Sequence, residues 1–148
     1  LGWVDDAGVH LPAASGSRQV PFKGLVLPEQ WPQVPIVYGC VEPEALMLTA
    51  CLNAGVPGLV FTGTGAGQLS ATERSALQAW QGARPLMLRA NRCSAGPVHG
   101  SPEDERLGLL AAGSLNPQKA RVLVLLCLIA GVDGAGLAAG LPKLEPVI

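Results

Sequence analysis

The run Leu59-Val60-Phe61-Thr62-Gly63-Thr64-Gly65-Ala66-Gly67-Gln68-Leu69-Ser70 passes from an apolar segment through a glycine-rich loop and into a helix over Ala71 to Gln81. An apolar run without alternation, bounded by glycines, suits a strand covered on both faces, which is the condition of a parallel sheet. Ser70 and Glu73 stand at the spacing of a capping box, in which the serine oxygen takes a helical N–H and the glutamate returns to the N–H of the cap. The unit is therefore strand, loop, helix. A loop in that place presents N–H groups beside a helix N-terminus, where a small ligand or an anion is physically reasonable.

The same unit recurs on either side. Val34 to Tyr38 reads as a buried strand ending at Gly39, and Pro43 suits the first turn of a helix that runs to about Asn53, with Gly55 closing it. Arg84 to Arg89 reads as a third short apolar strand. The order is βαβαβ, whose strands run parallel through right-handed crossovers. The loops 39–42, 63–69 and 90–100 then all emerge at the carboxyl edge of the sheet, where open α/β sheets bind ligands.

Leu107 to Ala112 reads as a fourth short strand or an extended run, after which Asn116 caps a helix with Pro117 at its first position, ending at Ala130 before Gly131. Positions 122–130 are apolar all round, which calls for burial on more than one side. The sheet covers one side. The other falls to a second domain, to a neighbouring subunit, or to the Gly-rich tail Gly131 to Ile148 folded back. Upstream, Gly2-Trp3-Val4 and Val9-His10-Leu11 flank Asp5-Asp6-Ala7-Gly8 as a hairpin with a four-residue loop. From there to Gln33 the prolines at 12, 21, 28 and 32 mark an extended connector.

At 148 residues, 49% hydrophobic and 14% charged, the chain can bury one sizeable core. Its net charge of −1 gives no reason to expect nucleic acid or an anionic membrane as partner. The longest apolar run, Val122 to Val132, falls short of the roughly 20 residues of a membrane span. Cys40, Cys51, Cys93 and Cys127 lack metal-type spacing and read as buried reduced thiols. With no signal-peptide order at Leu1, this leans towards a reducing, cytoplasmic compartment, the periplasm being the alternative.

Nucleotide chemistry fits poorly. The glycines are spaced GxGxG and not GxGxxG, no acidic residue stands about 20 positions on, and no Lys-Ser/Thr pair follows the loop. No serine sits in a GxSxG elbow. Cys93 and His99 share the third loop, but a cysteine and a histidine in one loop are more often incidental than a nucleophile and its base. Glu103, Asp104 and Glu105 form an acidic cluster after that loop, read either as solvated charge or as a carboxylate reaching a polar ligand at the carboxyl edge.

The combination of Val34-Pro35-Ile36-Val37-Tyr38, Gly58 to Gly67, Leu88-Arg89-Ala90-Asn91-Arg92 and Gly113-Ser114-Leu115-Asn116-Pro117-Gln118-Lys119-Ala120-Arg121 resembles the C-terminal domain of bacterial L-asparaginases, the asparaginase/glutaminase family. The likeness runs from the hairpin to about Gly131, and the Leu-Asn-Pro-Gln-Lys-Ala-Arg run is its most specific part. It implies an α/β fold, three-layer α/β/α (Rossmann-like), with a small central parallel sheet preceded by the hairpin and linker. The divisions expected are 1–33 hairpin and interdomain linker, 34–131 the α/β domain, and 132–148 a Gly/Pro-rich tail.

By that resemblance the whole enzyme would be a homotetramer of intimate dimers, hydrolysing asparagine to aspartate and ammonia with neither metal nor cofactor. Its threonine nucleophile, with a second Thr, a Lys and an Asp, would lie on an N-terminal domain. Thr49, Thr62, Thr64 and Thr72 match none of that machinery, so no catalytic residue is expected here. The C-terminal domain would instead lend groups to the neighbouring subunit's site. These fall on Gln68, where family members carry Asn or Ser, and within Ser101 to Glu105, with Glu103 the best match to the loop carboxylate. The loop Cys93 to His99 and the tail beyond Gly131 depart from the family pattern. The alternative function is a non-catalytic amino-acid effector-binding or oligomerisation domain of the same fold.

Overall fold

The computed structural model describes residues 3–5, 8–10, 22, 24–40, 45–93 and 96–144, with backbone alone for 3–5, 8–10 and 140–144. In chain order its elements are β1 (Trp3–Asp5), β2 (Gly8–His10), β3 (Ile36–Tyr38), α1 (Leu46–Asn53), β4 (Gly58–Gly63), α2 (Ala71–Ala79), β5 (Leu86–Asn91), α3 (Pro102–Leu107), β6 (Leu109–Ala111), α4 (Pro117–Ala130) and α5 (Gly134–Leu144). β3, β4, β5 and β6 lie side by side in that order, all parallel.

Strand order following chain order has a geometric consequence. Right-handed crossovers that always step in one direction put their helices on one face, so α1, α2 and α3 share a side and α4, after the last strand, must cover the other. The core divides accordingly. Successive strand residues face opposite ways: Leu59, Phe61 and Met87 pack with Leu48, Leu52, Leu77 and Leu107 of the first three helices. Val60, Leu88 and Ala90 pack with Ala120, Leu123, Val124 and Cys127 of α4. This is the three-layer α/β/α arrangement expected.

The third strand lies two residues further on than Arg84–Arg89, so Arg89 is not its end but an interior residue, and it is buried. The acidic cluster 103–105 does not precede a strand as loop. It forms half of α3, opened by Ser101 as a capping box with Asp104 and by Pro102 in the first turn. The hairpin is tighter than read, since Asp5 pairs with Gly8. Pro43 lies outside the described residues, and α1 is described from Leu46.

The tail is where the reading departs most. Asp133 accepts a hydrogen bond from the Gly136 N–H through Oδ1 at 2.8 Å and starts α5 as its N-cap. Leu137, 1% exposed, joins the cluster under α4. The tail thus forms a helix that adds Leu137 to the cluster shared by α4 and the sheet, although Val122 of α4 stays 51% exposed. Asp133 was the signal available; the glycines around it hid it. The thiols were also misread in part: Cys127 is buried and Cys51 half-buried, but Cys40 and Cys93 are exposed.

Candidate functional site at the carboxyl edge

The glycine loop leaves β4 and turns back on itself within a few residues. Gly67 and Gln68 donate their N–H groups to the Thr64 carbonyl at 2.9 and 2.8 Å, and the Thr64 N–H donates to the Gln68 carbonyl at 3.3 Å. The returning backbone passes so close to β4 that a methyl on Gly63 would overlap the backbone of Gly67 and Gln68. The turn needs left-handed backbone at Gly65, φ +51°, and at Gly67, φ +83°. Gln68 stands exposed at its end, with the buried Leu69 and then the α2 capping box behind it.

Beneath the loop lies a side chain that the sequence reading passed over. Arg89 of β5, 5% exposed, directs Nη1 to the carbonyls of Ala66 and Gly67 at 3.0 and 3.1 Å. Nε and Nη2 meet Asp104 Oδ1 and Oδ2 at 2.7 Å each, a bidentate pair, and Nη2 also donates to the His99 carbonyl at 2.8 Å. All five N–H groups of the guanidinium are thereby used. Asp104 further accepts from the Ser101 N–H and Oγ at 2.8 and 2.9 Å. Two signals could have found the pair. An arginine inside Leu86-Met87-Leu88-Arg89-Ala90 must be neutralised if that strand is buried, and Ser101-Pro102-Glu103-Asp104 is itself a capping-box sequence.

The carboxyl-edge loops are also tied to one another. Arg92 Nη1 donates to the Gly39 carbonyl at 3.0 Å, linking the third loop to the first, and Asn91 Nδ2 donates to the Gly96 carbonyl at 2.7 Å within the third. The two residues expected to face a ligand meet through an intermediary. Glu103 Oε1 lies 3.2 Å from Arg74 Nε, and Arg74 Nη2 reaches the Leu69 carbonyl, next to Gln68, at 3.5 Å. The ion pair is about a third exposed on both sides and worth about 0–1 kcal/mol. Of Cys93 and His99, read above as sharing a loop incidentally, Cys93 is exposed, and His99 is held through its backbone carbonyl by Arg89. Among the described residues no group of His, Cys, Asp and Glu could hold a metal ion. An open groove of about 670 Å³ beside Val34, Ile36, Cys51, Val56 and Arg121 shares no residue with these loops.

Burial alone would raise the Asp104 carboxyl, but the hydrogen bonds from Arg89 and Ser101 and the Arg89 charge outweigh it and hold it below the ordinary carboxylate range. A group depressed in the folded state adds stability above its unfolded value, about 4 for Asp, and that stability is lost as pH falls through the folded value. The melting temperature should therefore drop as pH falls below about 4, and less steeply in Asp104→Asn. Thermal unfolding between neutral and strongly acid pH measures both slopes.

Residues 33–139 match the glutaminase/asparaginase C-terminal domain family, a span that runs past 131 into α5. The chain is 39% identical over 101 residues to L-asparaginase 2 of Bacillus subtilis, covering 68% of this chain and 27% of the relative. It is 32% identical over 133 residues to the probable periplasmic L-asparaginase of Haemophilus influenzae, covering 86% of this chain and 38% of that one. Among solved structures, the probable cytoplasmic L-asparaginase of Campylobacter jejuni superposes with a TM-score of 0.69 at 31% identity, over 77% of this chain and 35% of its own. The chain thus spans between about a quarter and two fifths of these relatives' lengths. They bear both periplasmic and cytoplasmic names, and no helix among the described residues is long and apolar enough to cross a membrane.

Proposed function

The chain belongs to the glutaminase/asparaginase C-terminal domain family, and from that premise we propose that it is the C-terminal domain of an L-asparaginase-type amidohydrolase, which converts asparagine to aspartate and ammonia. Its part in the reaction is to complete the active site of a neighbouring subunit and to build the interface between them, in a homo-oligomer of intimate dimers. The nucleophile belongs to an N-terminal domain, and this chain alone is inactive.

The observation that supports this most is the state of Gln68. Its backbone is locked on both sides to Thr64 while the residue itself is exposed, at the end of a loop fixed by buried contacts. A side-chain amide held in this way can donate to and accept from the polar end of an amino acid arriving from another subunit. Glu103 is the group that would receive the α-ammonium. It now pairs with Arg74, and so weak a surface pair can be exchanged for a desolvated ammonium at little cost.

The test joins this chain to the N-terminal part of the Bacillus subtilis relative. The fusion should release ammonia from asparagine, and the chain alone should not. Gln68→Ala in the fusion should raise KM by about 10- to 100-fold, the worth of a hydrogen bond to a charged group. Turnover by the chain alone would place the nucleophile here and overturn the reading. Saturable binding of asparagine to the chain alone, seen by calorimetry, would point instead to an effector-binding domain.

A further inference from the structure

We infer that Arg89, backed by Asp104, is a positioning residue that sets where both substrate-facing groups stand. The inference rests on the functional reading just given. Its basis is adjacency. Gln68 directly follows Gly67, whose carbonyl Arg89 holds at 3.1 Å, and Glu103 directly precedes Asp104, which Arg89 holds at 2.7 Å through two nitrogens. One guanidinium therefore fixes the peptide before Gln68 and the helical residue after Glu103. The glycine loop and α3 come from distant parts of the chain, and the described hydrogen bonds join them through this group and through the weaker Arg74 contacts.

The fit leaves little freedom. A methyl on Gly67 would lie 2.9 Å from Arg89 Nη1, so the loop rests directly on the guanidinium. On the far side Asp104 is gripped by Ser101, within the cap of α3. Since all five N–H groups are engaged, the plane of the guanidinium cannot turn without breaking a bond to one loop or the other. Lysine keeps the charge, but its three donors on a tetrahedral nitrogen cannot reproduce a planar fork that serves three carbonyls and a carboxylate.

The experiment uses the full-length enzyme that carries this domain. Arg89→Lys should raise KM for asparagine about tenfold or more, as expected for displaced binding groups, while kcat per folded active site stays near wild type. Adding Gln68→Ala to Arg89→Lys should then cost far less than Gln68→Ala costs alone, because both changes act through the same contact. In hydrogen exchange followed by mass spectrometry, the peptide spanning 63–69 should exchange faster in Arg89→Lys, with peptides from α4 unchanged. Should Arg89→Lys fail to fold, Asp104→Asn is read the same way. Multiplicative effects on KM, or a fall in active fraction with KM unchanged and exchange rising throughout, would reduce Arg89 to a general stability role and overturn the inference. A Gln68→Ala enzyme with wild-type KM would instead sink the functional reading, and the exchange of peptide 63–69 would still decide whether Arg89 holds the loop.

Discussion

Arg89→Met should destabilise the chain by about 3–5 kcal/mol, the cost of breaking a buried ion pair from one side. Methionine fills much of the same space, so the loss is electrostatic. Asp104, 4% exposed, would keep only its Ser101 hydrogen bonds, and the Ala66, Gly67 and His99 carbonyls would each lose a donor. Set against the total of about 5–15 kcal/mol that holds a domain together, this is enough to leave a substantial unfolded fraction at physiological temperature. Urea unfolding of both proteins measures it. The double variant Arg89→Met/Asp104→Leu separates the two components. Removing the stranded carboxylate restores the part of the loss that belongs to the charge, because an apolar replacement of a buried pair is often neutral, but it returns no donor to the three carbonyls. The double variant should therefore fall between wild type and Arg89→Met. If it is as weak as the single variant, the stability resides in the carbonyl contacts and the ion pair adds little.

The same pair shows where a sequence is opaque. The framework was readable because each of its signals is local. Ser70 with Glu73 cap α2 at 2.8 and 3.1 Å as a reciprocal box, and Asn116 caps α4 with Pro117 behind it. Unalternating apolar runs also marked β3 and β4 as strands; β4 is buried throughout, whereas β3, at the edge of the sheet, leaves Tyr38 50% exposed. The place of the glycine loop was legible too, since a loop after a parallel strand must open at the carboxyl edge, whereas Gln68 within it was singled out by the family resemblance alone. Arg89 and Asp104 were not, because 15 residues separate them and neither has meaning without the other. Alone, an arginine after three apolar residues looks like a strand end, and an aspartate between two glutamates looks like solvated charge. Only the burial of both turns them into a pair. The helix α5 was missed for a different reason: glycine lowers helix propensity by about 1 kcal/mol, and what offsets this is tertiary, the burial of Leu137 in the cluster shared by α4 and the sheet.

The three glycines of Gly63-Thr64-Gly65-Ala66-Gly67 look equivalent in the sequence, and the structure assigns each a separate reason, which makes their alanine variants unequal. Gly63→Ala should be the most damaging of the three. Its methyl would lie closer than 3.0 Å to the backbone of Gly67 and to the Gly67 and Gln68 carbonyls, and backbone cannot swing aside as a side chain can. Relief requires the whole turn to lift, with loss of the Thr64–Gln68 bonds and of the Arg89 contacts beneath. We expect about 3 kcal/mol, the upper end of the range for overpacking, and a melting temperature lower by about 10 °C for a chain of this size. Gly65 has open space around its missing side chain, so Gly65→Ala should cost only the left-handed conformation, about 1–2 kcal/mol. Gly67 combines a left-handed φ of +83° with the close approach to Arg89 Nη1, and its variant should fall between. Thermal unfolding of the three variants gives the order. If Gly65→Ala matched Gly63→Ala, the loop would be governed by backbone conformation rather than by its close return onto β4, and the rigid presentation of Gln68 would lose its physical basis.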